Sequence, residues 1–177
     1  MMAGFFYGRI YDMVVSYTIQ QEQDTSAQTA PYVEEIVQKV IDAHDEIEEQ
    51  KFFQTLFHQP VNSPFQMFLE TDSAKDFQEY AKDLVSSDLI TGLQIYMDFP
   101  PQSVRLFTDD LTKNYFSPMG KARGTYWYGI FQGTQQSSLF CPEFYLGERE
   151  KENYGDMAYI TSTTFYYQGE ARQAYIA

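Results

Sequence analysis

Arg123, the aromatic run Tyr126-Trp127-Tyr128 and, further along, Asp156 form the grouping in this 177-residue sequence whose residue types best suit recognition of a small molecule. A guanidinium presents a planar fork of donors that pairs bidentately with a carboxylate. Aromatic rings wall a pocket, and a carboxylate accepts from an amine. Each residue also has a purely structural reading. Arg123 can cap the helical segment before it or pair on the surface with one of the 25 acidic residues. Tyr126, Trp127 and Tyr128 alternate across a strand if this stretch is extended, so at least one of them packs in the core. Asp156 follows Gly155 and precedes an apolar, β-branched run, a common place for a turn carboxylate bonding to backbone N–H groups.

Reactive chemistry finds less support. His44-Asp45-Glu46-Ile47 resembles the phospho-acceptor helix of kinases but lacks the basic residue, Thr or Asn, and Pro that follow there. His44 falls on an apolar stripe and reads as a packing histidine. His58, near Pro60, has no evident partner. Asp109-Asp110 reads as a turn or cap, and Glu148 to Glu152 as a solvated charged segment. Gly129 to Gly133 lacks the lysine and the glycine spacing of a nucleotide loop. Cys141, the only cysteine, has apolar neighbours and a following proline, so a buried unreactive thiol is expected. No catalytic residue, metal ligand or cofactor is predicted.

Composition bounds the rest. The chain is 44% hydrophobic and 18% aromatic, enough apolar surface for one substantial core. A net charge of -13 repels phosphate backbones, and the closest approach to a basic cluster is Lys121 with Arg123, so no nucleic-acid partner is expected. One cysteine excludes an internal disulfide without fixing the redox compartment. No run reaches the ~20 apolar residues that span a bilayer. The aromatic start Met1 to Ile10 is wrongly built for a signal peptide.

Periodicity supplies the elements that must position these groups. Tyr32, Val33, Ile36, Val37, Val40, Ile41 and Ile47 recur at helical spacing, with Glu34, Glu35, Lys39, Asp42 and Glu46 opposite. A preceding helical stretch covers Tyr7 to Gln28, and Thr29 with Pro31 predicts a cap and a break or kink near Ala30. Pro60 to Pro64 interrupts the helical region, and a shorter helix follows from Ser73 to about Val85, turning Phe77, Tyr80, Ala81 and Leu84 inward. Strands are predicted at Leu89 to Met97, with a hairpin partner at Ser103 to Thr108, and then at Thr125 to Phe131, Leu139 to Leu146, Ala158 to Gln168 and Ala171 to Ala177. A helical or irregular crossing covers Leu111 to Ala122, and Gln168-Gly169-Glu170 is a turn. The fold class is therefore α+β, a long N-terminal helix packed on an antiparallel sheet of about five strands. Residues 1–60 form the helical region and 61–177 the sheet module. The sequence ends at Tyr175-Ile176-Ala177 in mid-strand, which suggests a segment of a longer protein.

Arg123 to Phe131, then Leu139-Phe140-Cys141-Pro142, then Tyr154 to Ile160, resemble the extracytoplasmic Cache (PAS-like) sensor domains of Gram-positive two-component sensor histidine kinases. The resemblance is most specific over Asp109 to Ala177. It implies a helix leading from one membrane segment into a PAS-like sheet, a final strand returning toward a second, and a location on the extracytoplasmic face of the bacterial membrane. Both membrane segments and the kinase would lie outside this chain. Amino-acid-binding members carry an Arg before a Trp-Tyr pair and a later Tyr and Asp. On that pattern Arg123, Tyr126, Trp127, Tyr128, Tyr145 and Asp156 are the implied ligand-binding residues. Arg123 stands further from the Trp-Tyr pair, and Asp156 nearer to it, than the pattern has, so the implied ligand is an unspecified small polar molecule. It would enter between the sheet and the Leu111 to Arg123 crossing. The alternative from another class is a ligand-free module that dimerises through its N-terminal helix.

Overall fold

The computed structural model describes residues 3–58, 72–87, 89–99, 114–155 and 157–177. The expected break at Pro60 to Pro64, the hairpin partner at Ser103 to Thr108, Asp109-Asp110 and Asp156 lie outside the described residues, as does the side chain of His58. The chain divides into two compact units, Met1–Lys39 and Val40–Ala177.

The first element, α1, runs from Ala3 to Glu49 and begins in the first unit. Within that unit every described side chain from Val15 to Glu35 is exposed, Tyr17, Tyr32 and Val33 among them. The break expected near Ala30 does not occur, because α1 continues through Pro31. Proline removes one helical N–H, but on an exposed helix the orphaned carbonyl is served by solvent. Thr29 does not cap a new helix; its hydroxyl donates to the Thr25 carbonyl one turn back.

In the second unit the end of α1 is followed by a helical turn, α2 (Lys51–Phe53), and a π-helical segment, Gln54–His58. The next helix, α3 (Ser73–Val85), has the predicted bounds and buries Ala74, Phe77 and Ala81. Five strands follow: β1 (Ile95–Met97), β2 (Phe116–Pro118), β3 (Ser138–Pro142), β4 (Met157–Tyr167) and β5 (Glu170–Ile176). They lie in the order β2-β1-β5-β4-β3. All neighbours are antiparallel except β1 and β2, which run parallel. The fold is α+β with a mixed five-stranded sheet and a long N-terminal helix.

Three strand assignments are corrected. Thr125 to Phe131 is not a strand, since Tyr126–Gly133 is a helix, α4. Thr125 caps it by accepting from the Tyr128 N–H at 3.3 Å. Trp127 and Phe131, four residues apart, share its buried face. A run of aromatics suits a strand by composition, but here the cap and the four-residue spacing prevail. Leu139 to Leu146 pairs only as far as Pro142, which leads into a 3-10 turn, Glu143–Tyr145. Leu89 to Met97 is reduced to Ile95–Met97, extended by Gln94 and Ala177 exchanging backbone bonds of 2.8 Å. The stretch expected to be helical or irregular contributes β2 and a 3-10 turn, Met119–Lys121.

Alternation along the strands separates two cores. Ile95, Met97, Ala174, Ile176 and Phe165 meet Ile47, Phe52, Phe53, Leu56, Phe57 and Phe77 on one face. Tyr96, Tyr175, Ala158, Ile160 and Cys141 meet Met119, Ala122, Trp127, Phe131 and Leu146 on the other. His44 lies on the first face. It is buried, shares a 2.5 Å hydrogen bond with the Thr161 hydroxyl and sets its ring edge against Tyr159, as expected of a packing histidine.

Candidate functional site

The second face carries an open cleft of about 580 Å³. One wall is the approach to α4, Lys121, Gly124, Thr125 and Tyr126; the other is Phe144 to Glu148, with Glu150. Local sequence explains both walls. The Thr125 hydroxyl donates to the Ala122 carbonyl at 2.7 Å while accepting from Tyr128, which fixes where α4 starts. Pro142 ends β3, Phe144 and Tyr145 turn outward, and Gly147 opens the helix α5 (Glu148–Tyr154).

Aromatic rings dominate the mouth. Tyr126 and Tyr145 stack with centroids 4.0 Å apart and planes within 5°. Phe144 is 74% exposed and lies 4.3 Å from Tyr145. The Tyr126 phenol is held above its ordinary pKa, first by its hydrogen bond with Tyr145 and then by partial desolvation, so it stays neutral through the physiological range.

The inner boundary of the cleft is a carboxylate. Glu150 is only 9% exposed; its Oε1 accepts from the Trp127 indole N–H at 2.6 Å and its Oε2 from the Gly147 N–H at 2.8 Å. A Glu three residues after the residue that opens a helix is well placed to reach back to that residue's N–H. The expectation of a solvated Glu148 to Glu152 segment is therefore corrected. Glu148 is exposed, but Glu150 is built into the interior, and the signal for it was its spacing from Gly147. Behind Glu150, Trp127 is fully buried with its ring 5.4 Å from Tyr96 on β1 and 5.3 Å from Tyr175 on β5. Burial, with the Glu150 charge nearby, raises the Cys141 thiol to about 11, so it is an unreactive core group.

Of the residues singled out in the sequence, Tyr126 and Tyr145 meet in the cleft and Trp127 stands behind it. Tyr128 is half-buried and turns toward Tyr175, 5.9 Å away. Arg123 is largely exposed and lies 3.8 Å from Asp98, which Arg172 also approaches at 3.9 Å. Exposed pairs at such distances contribute little to stability. Of the Leu111 to Arg123 crossing, Lys121 borders this cleft, and the opposite wall comes from Phe144 to Glu150. Only Tyr126 and Tyr145 of the lining residues belong to the sequence-derived set; Lys121, Phe144, Glu148 and Glu150 are the charged and aromatic ones it lacked. Among the described residues no cluster of His, Cys, Asp or Glu is placed to hold a metal.

Comparison with protein-family models, with curated proteins and with solved structures finds no match.

Proposed function

We propose that this chain is a small-molecule sensing module, the extracytoplasmic domain of a membrane-bound sensor histidine kinase. A small polar ligand occupies the Tyr126–Tyr145 cleft and shifts the sheet. The observation that carries this reading is continuity from cleft to sheet. Glu150 borders the cleft and bonds Trp127, and Trp127 packs on β1 and on β5, the final strand. A ligand that disturbs Glu150 thus acts one side chain away from the strand that, in the resemblance, leads back toward the membrane. Such a module signals only if its ligand binds two conformations with different affinity.

A thermal-shift and calorimetry screen of amino acids, organic acids and amines tests the reading. It should return a binder whose affinity falls on Tyr126→Ala or Tyr145→Ala and is unchanged by Arg123→Ala. An empty screen, or a binder indifferent to both tyrosines, counts against it.

A second reading is favoured by one observation, the exposure of Tyr17, Ile19, Tyr32 and Val33 along α1. On this reading the helix pairs with its copy and the module dimerises without a ligand. Sedimentation equilibrium separates the two, because helix pairing gives a dimer that Tyr32→Glu with Val33→Glu converts to monomer.

A further inference from the structure

Glu150 presents an electrostatic problem that the rest of the cleft answers. A carboxylate has about four lone-pair positions, and Trp127 and Gly147 fill two of them. The group is nine-tenths buried, and among the residues whose side chains are described, which do not include Arg149, no lysine or arginine stands within ion-pair distance of it. Lys151, next in sequence, is engaged by Glu143 at 3.4 Å and Glu148 at 3.8 Å. A buried charge without a counter-charge is costly, and the cost falls when a cation arrives with donors for the open lone pairs. Glu150 borders an open cleft, so that cation can come from solution.

The surroundings suit the same kind of ligand. Tyr126, Tyr145 and Phe144 offer exposed ring surface, which attracts organic cations through the ring quadrupole and covers their carbon frame. A net charge of -13 concentrates cations near the protein. Lys121 on the rim opposes them but is exposed, where solvent screens it.

We propose that the cleft takes a small organic cation whose ammonium N–H groups bond the Glu150 carboxylate while its carbon frame lies against Tyr126, Tyr145 and Phe144. The assignment rests on the ligand-binding reading above and narrows it to one chemical class. Trp127, the only tryptophan, shares the carboxylate and reports the event.

Three probes with one phenol ring and different heads test it: tyramine as the cation, tyrosol as the neutral alcohol and 4-hydroxyphenylacetate as the anion. Calorimetry and Trp127 emission are followed for the intact chain. Tyramine should bind at least about tenfold tighter than either analogue, the scale of one charged hydrogen bond, should weaken with added salt, and should shift Trp127 emission. Glu150→Gln should lower tyramine affinity by about tenfold or more on the same scale, and leave 4-hydroxyphenylacetate unchanged. Should that variant fold poorly, Lys121→Met carries the test from an exposed position, since it should strengthen tyramine and weaken 4-hydroxyphenylacetate. If the alcohol or the anion binds in the cleft as tightly as tyramine, the cation assignment is overturned and the ligand-binding reading survives. If none of the three binds, the cation assignment falls, and the wider reading falls with it when the full screen is also empty.

Discussion

The two faces of the sheet use aromatic residues in opposite ways. On the face covered by the end of α1, α2 and α3, the fully buried rings are phenylalanines with no polar atom to satisfy, and Tyr80, Tyr115 and Tyr167 are only partly buried at their edge: Phe53 and Phe57 stack at 4.1 Å, and Phe77 touches Phe52 at 5.1 Å and Phe116 at 5.2 Å. On the face covered by α4 and α5 Phe131 is joined by Tyr96, Trp127 and Tyr175, each of which brings a polar group that needs a partner when buried. Gln132 donates its side-chain N–H to the Tyr175 hydroxyl at 3.3 Å, and Glu150 accepts from the Trp127 indole at 2.6 Å. One face buries its rings without needing polar partners for them. The other is tied by a carboxylate that borders solvent, and there the cleft opens. The difference separates a region of apolar packing from one whose packing depends on a carboxylate beside an open cleft.

The comparison breaks most visibly at Phe77. Phe77→Ala removes a fully buried ring that meets Phe52, Tyr115 and Phe116, and it should destabilise by about 3–5 kcal/mol. Urea denaturation measures the loss. Cleft affinity, measured under folded conditions, should not change, because the sealed face only supports the sheet. A comparable loss of affinity would show that the faces are not separable.

Trp127→Phe sharpens the contrast on the open face. Most of the ring volume is kept, but the N–H that satisfies Glu150 Oε1 is lost, while the Gly147 N–H still bonds Oε2. The cost should be about 1–3 kcal/mol, the penalty of an unsatisfied buried acceptor. Unlike Phe77→Ala, this substitution should also alter cleft affinity. Unchanged affinity would uncouple Trp127 from the site.

How much of this was legible in the sequence divides along the same line. The sealed face could be read well, because α3 shows one apolar period with no competing signal, and Phe77 and Ala81 fall inward as the spacing requires. The β4–β5 hairpin was equally clear from its β-branched and aromatic runs around a glycine turn. The open face was misread at its centre. Tyr126-Trp127-Tyr128 has strand-like composition, and only the cap at Thr125 with the Trp127 to Phe131 spacing marks a helix. Glu150 was hidden among Glu148, Lys151 and Glu152, where one buried carboxylate looks like its solvated neighbours. Tyr126 and Tyr145 were singled out through a resemblance, but their stacking is a tertiary fact that spacing cannot supply. Parallel pairing of β1 with β2 was likewise invisible, since three-residue strands carry too little pattern to fix direction.

His44 adds a polar tie to the otherwise apolar face and gives it a pH dependence. Burial pushes its pKa below the ordinary 6.5, while Asp45 and Glu48 on α1 pull it back up; β4 sets Tyr159 and Thr161 against the ring. A base whose folded pKa is lowered is neutral when folded and takes up a proton more readily when unfolded. The stabilisation is therefore complete above pH 6.5 and is lost as pH falls from there toward the folded-state value. Because the two carboxylates offset part of the burial, the loss should be smaller than that from Trp127→Phe. Urea midpoints measured across this range should decline for the native chain and flatten for His44→Gln. An unchanged slope would assign the decline to other groups.

The smallest expected effect lies where the two faces share a single device, the turn that joins β4 to β5. Tyr167 pairs with Glu170, leaving Gln168 and Gly169 as a two-residue loop with φ of 53° and 82°. Two positive φ values match the twist of a hairpin of this length and favour Asn-Gly. Glycine adopts its angle without strain, but glutamine has no side-chain group suited to this conformation, whereas asparagine tolerates it through local hydrogen bonds. Gln168→Asn should therefore stabilise the chain by roughly 0.5 kcal/mol, and Gly169→Ala should destabilise it by about 1 kcal/mol or more. Both strands contribute side chains to both cores, so these shifts should move urea midpoints without changing the relative sensitivity of the faces to Phe77→Ala and Trp127→Phe. If Gln168→Asn instead altered the penalty of one substitution and not the other, the hairpin would have to be counted as part of one face.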